Sequence, residues 1–124
     1  MSELAFDKLN SELRRGALVL AVLAQLREEH YGYSLRKALA EVDISVEEGT
    51  LYPLIRRLEK QGLLQSEWRE EAKRKKRFYS LSAEGERALD LLHTEWAALN
   101  GSITRLLSNS QNSNSKKNNT DAGG

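Results

Sequence analysis

Two adjacent arginines, Arg56 and Arg57, stand with Thr50, Tyr52, Pro53 and Lys60 inside EEGTLYPLIRRLEKQGLL, residues 47–64. A guanidinium is a planar fork of donors that fits the edge of a guanine or the oxygens of a phosphate. Hydroxyls such as those of Thr50 and Tyr52 bond phosphate oxygens and fix register without reading sequence. A second concentration of charge is KRKKR: Lys73, Arg74, Lys75, Lys76 and Arg77. Five like charges in a row repel one another, and a phosphate backbone relieves that repulsion with a steep dependence on salt. A charged hairpin that only stays soluble and blocks edge pairing is the plainer reading of the same run. The chemistry available is binding of a polyanion.

Other chemistry finds no support. There is no cysteine, which excludes disulfides and thiolate metal sites and suits a reducing cytosol. His30 and His93 lie far apart without a ligand cluster and read as partly exposed helix residues, so no metal or cofactor is expected. The pattern brings no base near Ser34, Ser45 or Ser66, the glycines are scattered singly, and the acidic residues sit beside Lys and Arg as solvated ion pairs do. Net charge is only +1, so charge placement matters more than the total. The longest apolar run, GALVLAVLA at residues 16–24, is too short to span a bilayer and lacks a signal-peptide cleavage pattern. A soluble, cytoplasmic protein without an export signal is expected.

The basic residues need elements to hold them. Leu51, Leu54, Ile55 and Leu58 follow i, i+3, i+4, i+7, one buried helical face, which turns Gly49, Pro53, Arg56, Arg57 and Lys60 outward and leaves Thr50 and Tyr52 at the edges. Ser45 and Glu48 fit a capping box at the start of this helix. Pro53 conflicts with that start unless Thr50 is the effective cap, which would put the proline in the first turn. Gly62 ends the helix. Before it, residues 10–28 read as a central helix apolar on most sides, and YSLRKALAEV as a short second helix with Leu35, Ala38, Leu39 and Val42 inward. After it, LLQSEW and RFYSLS alternate as a strand pair joined by a flexible tip, REEAKRKK, with Trp68 packed in the core or hairpin and Glu70 and Glu71 on the side away from the cations.

Ser82, with Gly85 nearby, opens a last helix whose Leu89, Leu92, Trp96, Leu99, Ile103 and Leu106 are spaced 3, 4, 3, 4 and 3. This is a narrow seam that buries one stripe against another helix. Asn100-Gly101 is expected to bend it. From Ser108 the chain is almost devoid of apolar residues and reads as disordered. The expected organisation is residues 5–82 as one domain, 83–108 as a dimerisation helix and 109–124 as a tail. Three helices followed by a hairpin make a winged helix-turn-helix: mainly α with a small β-hairpin, its third helix placed to enter a DNA major groove.

YGYSLRKAL, VEEGTLYPLIRRLEKQGLL and RKKRFYSLSAEGERAL, in that order, resemble the PadR family of bacterial transcriptional regulators over about residues 13–106. A lone RRLE would be weak, whereas the T-L-Y-P-L-x-R-R-L-E-x-x-G-L block is specific. The resemblance implies a cytoplasmic, homodimeric repressor on a pseudo-palindromic double-stranded operator, with the single C-terminal dimerisation helix of the smaller subgroup. It also implies release by a planar aromatic effector such as a phenolic acid or a flat drug. The candidate DNA-contacting set is then Ser34, Lys37, Thr50, Tyr52, Pro53, Arg56, Arg57, Lys60 and Lys73 to Arg77. The candidate dimer interface is Leu13, Leu89, Leu92, Trp96, Leu99, Ile103 and Leu106. In drug-responsive relatives a tryptophan at the place of Trp96 stacks on flat ligands between subunits, so Trp96, the small Gly16 and Ala17, and Asn100 form a candidate effector set. The rival reading is a winged-helix protein-interaction module that uses its basic hairpin on an acidic partner.

Overall fold

The computed structural model describes residues 2–119. In it the four-residue stripe Leu51, Leu54, Ile55 and Leu58 is buried, as its spacing predicts. It belongs to α3 (Glu48–Lys60), which follows α1 (Glu3–Gln25), β1 (His30–Tyr31) and α2 (Gly32–Glu41). The stripe packs on Val22, Leu23 and Leu26 from the end of α1 and on Leu35 and Leu39 of α2. β2 (Leu64–Glu71), β3 (Arg74–Leu81) and α4 (Ala83–Asn119) complete the chain. Leu64, Tyr79 and Leu81 close the core from the sheet.

The sheet is antiparallel, ordered β1-β3-β2. The sequence reading had two strands. The third, only His30–Tyr31, is too short to show an alternation, and it pairs with Tyr79 and Phe78 of β3. His30 is therefore a strand residue rather than a helical one. Ser34 donates its hydroxyl to the Tyr31 carbonyl at 3.0 Å. It must then accept from His30 Nδ1–H at 2.9 Å, which leaves His30 Nε2 to accept from the Gln25 amide, also at 2.9 Å.

Helix ends decide where the elements stop. α3 starts at Glu47, an N-cap without a side-chain bond, whose carbonyl accepts from the N–H groups of Thr50 and Leu51. Neither the Ser45–Glu48 box nor a Thr50 cap forms. Ile44 and Val46 pack against the core and hold the chain extended until they have passed. Pro53 consequently lies inside the helix, with no N–H to offer the Gly49 carbonyl four residues back. At the other end Gly62, with φ +83°, forms a Schellman turn: Gly62 N–H donates to Glu59 O and Leu63 N–H to Leu58 O. α2 closes in the same way, but with Asp43 in the left-handed position and Ile44 N–H on Leu39 O. The turn carries Val42 off the core, so this residue, expected inward, is exposed.

The chain divides after Asp90 into two compact units, a boundary that falls inside α4. The first two turns of α4 go with the winged unit because Ser82 anchors them. Its N–H donates to Leu63 O, its hydroxyl to Gly62 O, and it accepts from Gly85 N–H. Leu89 accordingly packs on the core of its own chain, a correction to its expected place on the seam. In the second unit α4 runs unbroken through Asn100-Gly101, without the expected interruption. The helix continues to Asn119, where the loss of apolar residues predicted an end near Leu107, since each residue added to an existing helix gains a bond without a new nucleation cost. Residues 120–124 of the expected tail lie outside the described residues.

Gly85 is a fixed point of this arrangement, because a Cβ there would fall 2.0 Å from the Leu63 carbonyl oxygen. Gly85→Ala should destabilise by at least about 2 kcal/mol through overpacking against backbone. Gly16→Ala, on open α1 surface with nothing within 4 Å, should stabilise by ~0.5–1 kcal/mol. Chemical denaturation of the two variants checks both signs.

Candidate nucleic-acid interface

The buried stripe of α3 leaves Gly49, Thr50, Pro53, Arg56, Arg57 and Lys60 exposed on its opposite side, as expected. Tyr52 differs. Its ring packs on Gly32 at the start of α2, where a Cβ would sit 2.8 Å from Cε1, and it is half-buried. Arg57 and Lys60 also complement the C-terminal end of the helix dipole. The start of α3 is tied to α2 by Arg36, which donates to Glu48 at 2.7 Å. Lys37 is exposed on α2, whereas Ser34 is spent on the Tyr31 and His30 bonds that open that helix.

The hairpin is tighter than its sequence suggested. The ladder runs to Glu71↔Arg74, leaving only Ala72 and Lys73 as the loop, with φ of 52° and 64°. Two residues with positive φ are the signature of a type I′ turn, whose twist matches the strands it joins. No Asn-Gly or Asp-Gly marks it, which is why the sequence reads as a flexible tip. Extending the strands also moves the acids. Glu70 pairs with Lys75 and Glu71 with Arg74, so carboxylates lie opposite the cations rather than on a separate side.

The five cations of KRKKR therefore have different surroundings. Arg77 points towards α3, where Nη2 donates to Glu59 Oε1 at 3.0 Å and Oε2 at 3.2 Å and Nε donates to Ser66 Oγ at 2.9 Å. Ser66 in turn donates to Glu59. The guanidinium lies 5.6 Å from the ring centroids of both Trp68 and Tyr79. Burial pushes the Tyr79 phenol above its ordinary range, more than the Arg77 charge pulls it down. Lys76 sits 4.2 Å over the Tyr31 ring and 3.4 Å from Glu71. Lys73, Arg74 and Lys75 are exposed at the tip. Trp68, expected in the core, is 62% exposed because its face of the hairpin extends past the helices that cover Leu64.

Sequence reasoning missed Arg69. It pairs with Glu29 and Glu67 and lies 3.9 Å over the Phe78 ring, so it fastens the outer face of the hairpin to the segment before β1. Nothing in its local sequence marks this role, since both Glu29 and Phe78 reach it only through the fold.

The candidate effector and dimer residues fall in both units. Ala17 lines a groove of about 480 Å³ between α1 and the start of α3, while Gly16 is exposed. Leu13 is exposed on α1. On α4, Leu92, Trp96, Leu99, Ile103 and Leu106 are exposed large apolar side chains, and Asn100 is exposed among them. Among the described residues no helix is long and apolar enough to cross a membrane.

The different surroundings of the hairpin cations can be separated by measurement. Arg77→Ala should lower stability by about 1–3 kcal/mol, because it leaves Glu59 half-buried without its charge-assisted bonds. Lys75→Ala, at an exposed position, should stay within about 0.5 kcal/mol of the parent. Thermal unfolding followed by circular dichroism reads both.

The family model described as "Transcriptional regulator PadR-like family" matches residues 19–91, which contain α2, α3, the hairpin and the first turns of α4. No curated protein matches the chain. Among solved structures, the chain is similar to a PadR family transcriptional regulator from Eggerthella lenta at 46% identity, covering 84% of this chain and 96% of that one with a TM-score of 0.76. It is also similar to a PadR-like transcription factor from Bacteroides fragilis (33% identity, 80% and 98% covered, TM-score 0.68). A third, a transcriptional regulator from Clostridium thermocellum, shares 30% identity over 77% of this chain and 97% of its own, with a TM-score of 0.70. With the matched region, the winged helix and the exposed basic face of α3 in agreement, the chain belongs to the PadR-like family of transcriptional regulators.

Proposed function

We propose that this DNA-binding transcription regulator is a homodimeric repressor, that α3 reads a pseudo-palindromic operator, and that a planar aromatic effector releases it. The observation that carries the reading is the outward side of α3. Arg56, Arg57 and Lys60 stand exposed opposite a stripe buried to within a few per cent. A helix held in this way has one face committed and one face free for a groove. Thr50 at the start of the helix and Lys37 on α2 suit contacts to phosphate that fix register. Lys73, Arg74 and Lys75 at the hairpin tip suit the backbone beyond the groove.

A second copy is called for by the seam. Leu92, Trp96, Leu99, Ile103 and Leu106, all at least 40% exposed, repeat at helical spacing on α4, and Leu13 is exposed on α1. Contiguous apolar surface of this kind marks an association site. In a two-fold dimer the α3 pair would address half-sites separated by about one helical turn, ~34–36 Å. The effector reading rests on Trp96, whose ring is 46% exposed on the same seam. A ligand there shifts the dimer only by its differential affinity for the two arrangements.

Arg56→Ala should weaken binding to the operator by roughly 1–3 kcal/mol if its fork meets a base. The same variant should lose selectivity between operator and scrambled DNA in a mobility-shift titration, an outcome not expected of a protein-interaction module. Leu99→Glu places a charge on the seam and should turn the dimer into a monomer in analytical ultracentrifugation, with operator affinity lost together with it.

A further inference from the structure

A pocket of about 350 Å³ opens between the start of α2, the middle of α3 and the β2–β3 hairpin, entirely within the winged unit. Its walls are aromatic, with Tyr31, Tyr33, Tyr52, Trp68 and Tyr79 all contributing. Two of these rings, Trp68 at 62% and Tyr33 at 59% exposure, take no part in the buried core. No carboxylate lines the pocket, but three cations do: Arg56, Lys76 and Arg77. Arg77 is held by Glu59 and Ser66, and Lys76 is shared between Glu71 and the Tyr31 ring. Arg56 has no ion-pair partner among the described residues and is exposed.

Flat apolar walls with one unengaged guanidinium at the rim fit one kind of small molecule. A planar ring stacks on the aromatic side chains, and an acidic substituent takes the fork of the arginine as a charge-assisted pair. The volume lies at the lower end of the range for small-molecule sites and suits one or two fused rings. A neutral ring would forgo the guanidinium, and a free inorganic anion would forgo the stacking.

We propose that this pocket binds a planar aromatic carboxylate, its ring against Trp68 and Tyr52 and its carboxylate on Arg56. The site is distinct from the seam that carries Trp96. Its consequence for regulation rests on the repressor reading above: Arg56 cannot bond ligand and DNA at once, so the ligand displaces DNA by direct competition, without any change in the spacing of a dimer.

The test uses the full chain carrying 6-fluorotryptophan at both of its tryptophans. The two fluorine resonances are assigned with Trp68→Phe and Trp96→Phe, and the probe is 2-naphthoate with neutral 2-naphthamide as its isostere. The Trp68 resonance should shift saturably with naphthoate. Removal of the charge, either in naphthamide or in Arg56→Gln, should weaken binding by about tenfold. Amide shifts in the unaltered chain should cluster at Tyr33, Arg56 and Trp68. A shift confined to Trp96, a Trp68 shift that never saturates, or equal affinity for acid and amide overturns the site. In a second arm, the apparent Kd for operator DNA should rise in proportion to naphthoate without a plateau, and a plateau overturns the competition. Since the first arm contains no DNA, failure of the repressor reading would leave its outcome untouched.

Discussion

The architecture depends on the burial of one side of α3. Leu51, Leu54, Ile55 and Leu58 are each no more than 8% exposed, and burying such a side chain contributes about 1.5–3 kcal/mol. Four of them on one stripe fix the rotation of the helix about its own axis. With rotation fixed, the outward placement of Arg56, Arg57 and Lys60 follows from 3.6-residue geometry alone. A helix free to roll by one residue would bury an arginine and expose a leucine, both costly. The same interaction therefore supplies stability and aims the basic face.

The hairpin is aimed by a different kind of force. Its far end extends beyond the apolar core, so charge pairs and ring contacts hold it instead. Arg77 ties it to Glu59 on α3 from one face, and Arg69 ties it to Glu29 from the other. Because Glu59 is followed immediately by Lys60, the clamp and the basic face share a turn of helix. The wing thus takes its position from α3 itself. Of five consecutive cations, the fold uses one as an internal strut, rests another on Tyr31 and leaves the remaining three at the tip.

Much of this is legible in the sequence, and for a physical reason. Buried stripes have a period, so the α3 face, the α4 seam and the alternation of Phe78, Tyr79 and Leu81 could be read from spacing. Gly62 and Ser82 announced the ends of α3 and the start of α4 because their chemistry is local. Features made by distant partners were not legible. The two-residue β1 exists only because β3 offers it a ladder, and Ser34 looks like a free hydroxyl until Tyr31 and His30 are folded beside it. Gly32 and Gly85 appear as ordinary breaks, yet each is required by a contact from another element, the Tyr52 ring and the Leu63 carbonyl. The α3 cap was misplaced because the core contacts of Ile44 and Val46 outweigh a local capping preference.

Asp43, Ala72 and Lys73 hold backbone conformations in which a side chain is costly, and none of them is glycine. Each such position keeps a small reserve of unclaimed stability, of the order of 1 kcal/mol, that a single change to glycine or asparagine could release where the lost chain entropy does not cancel it. A lineage altering the exposed side of α3 to recognise a new sequence could offset a weakened fold from that reserve. Diversification of the reading head is then less constrained by folding than the small size of the domain suggests.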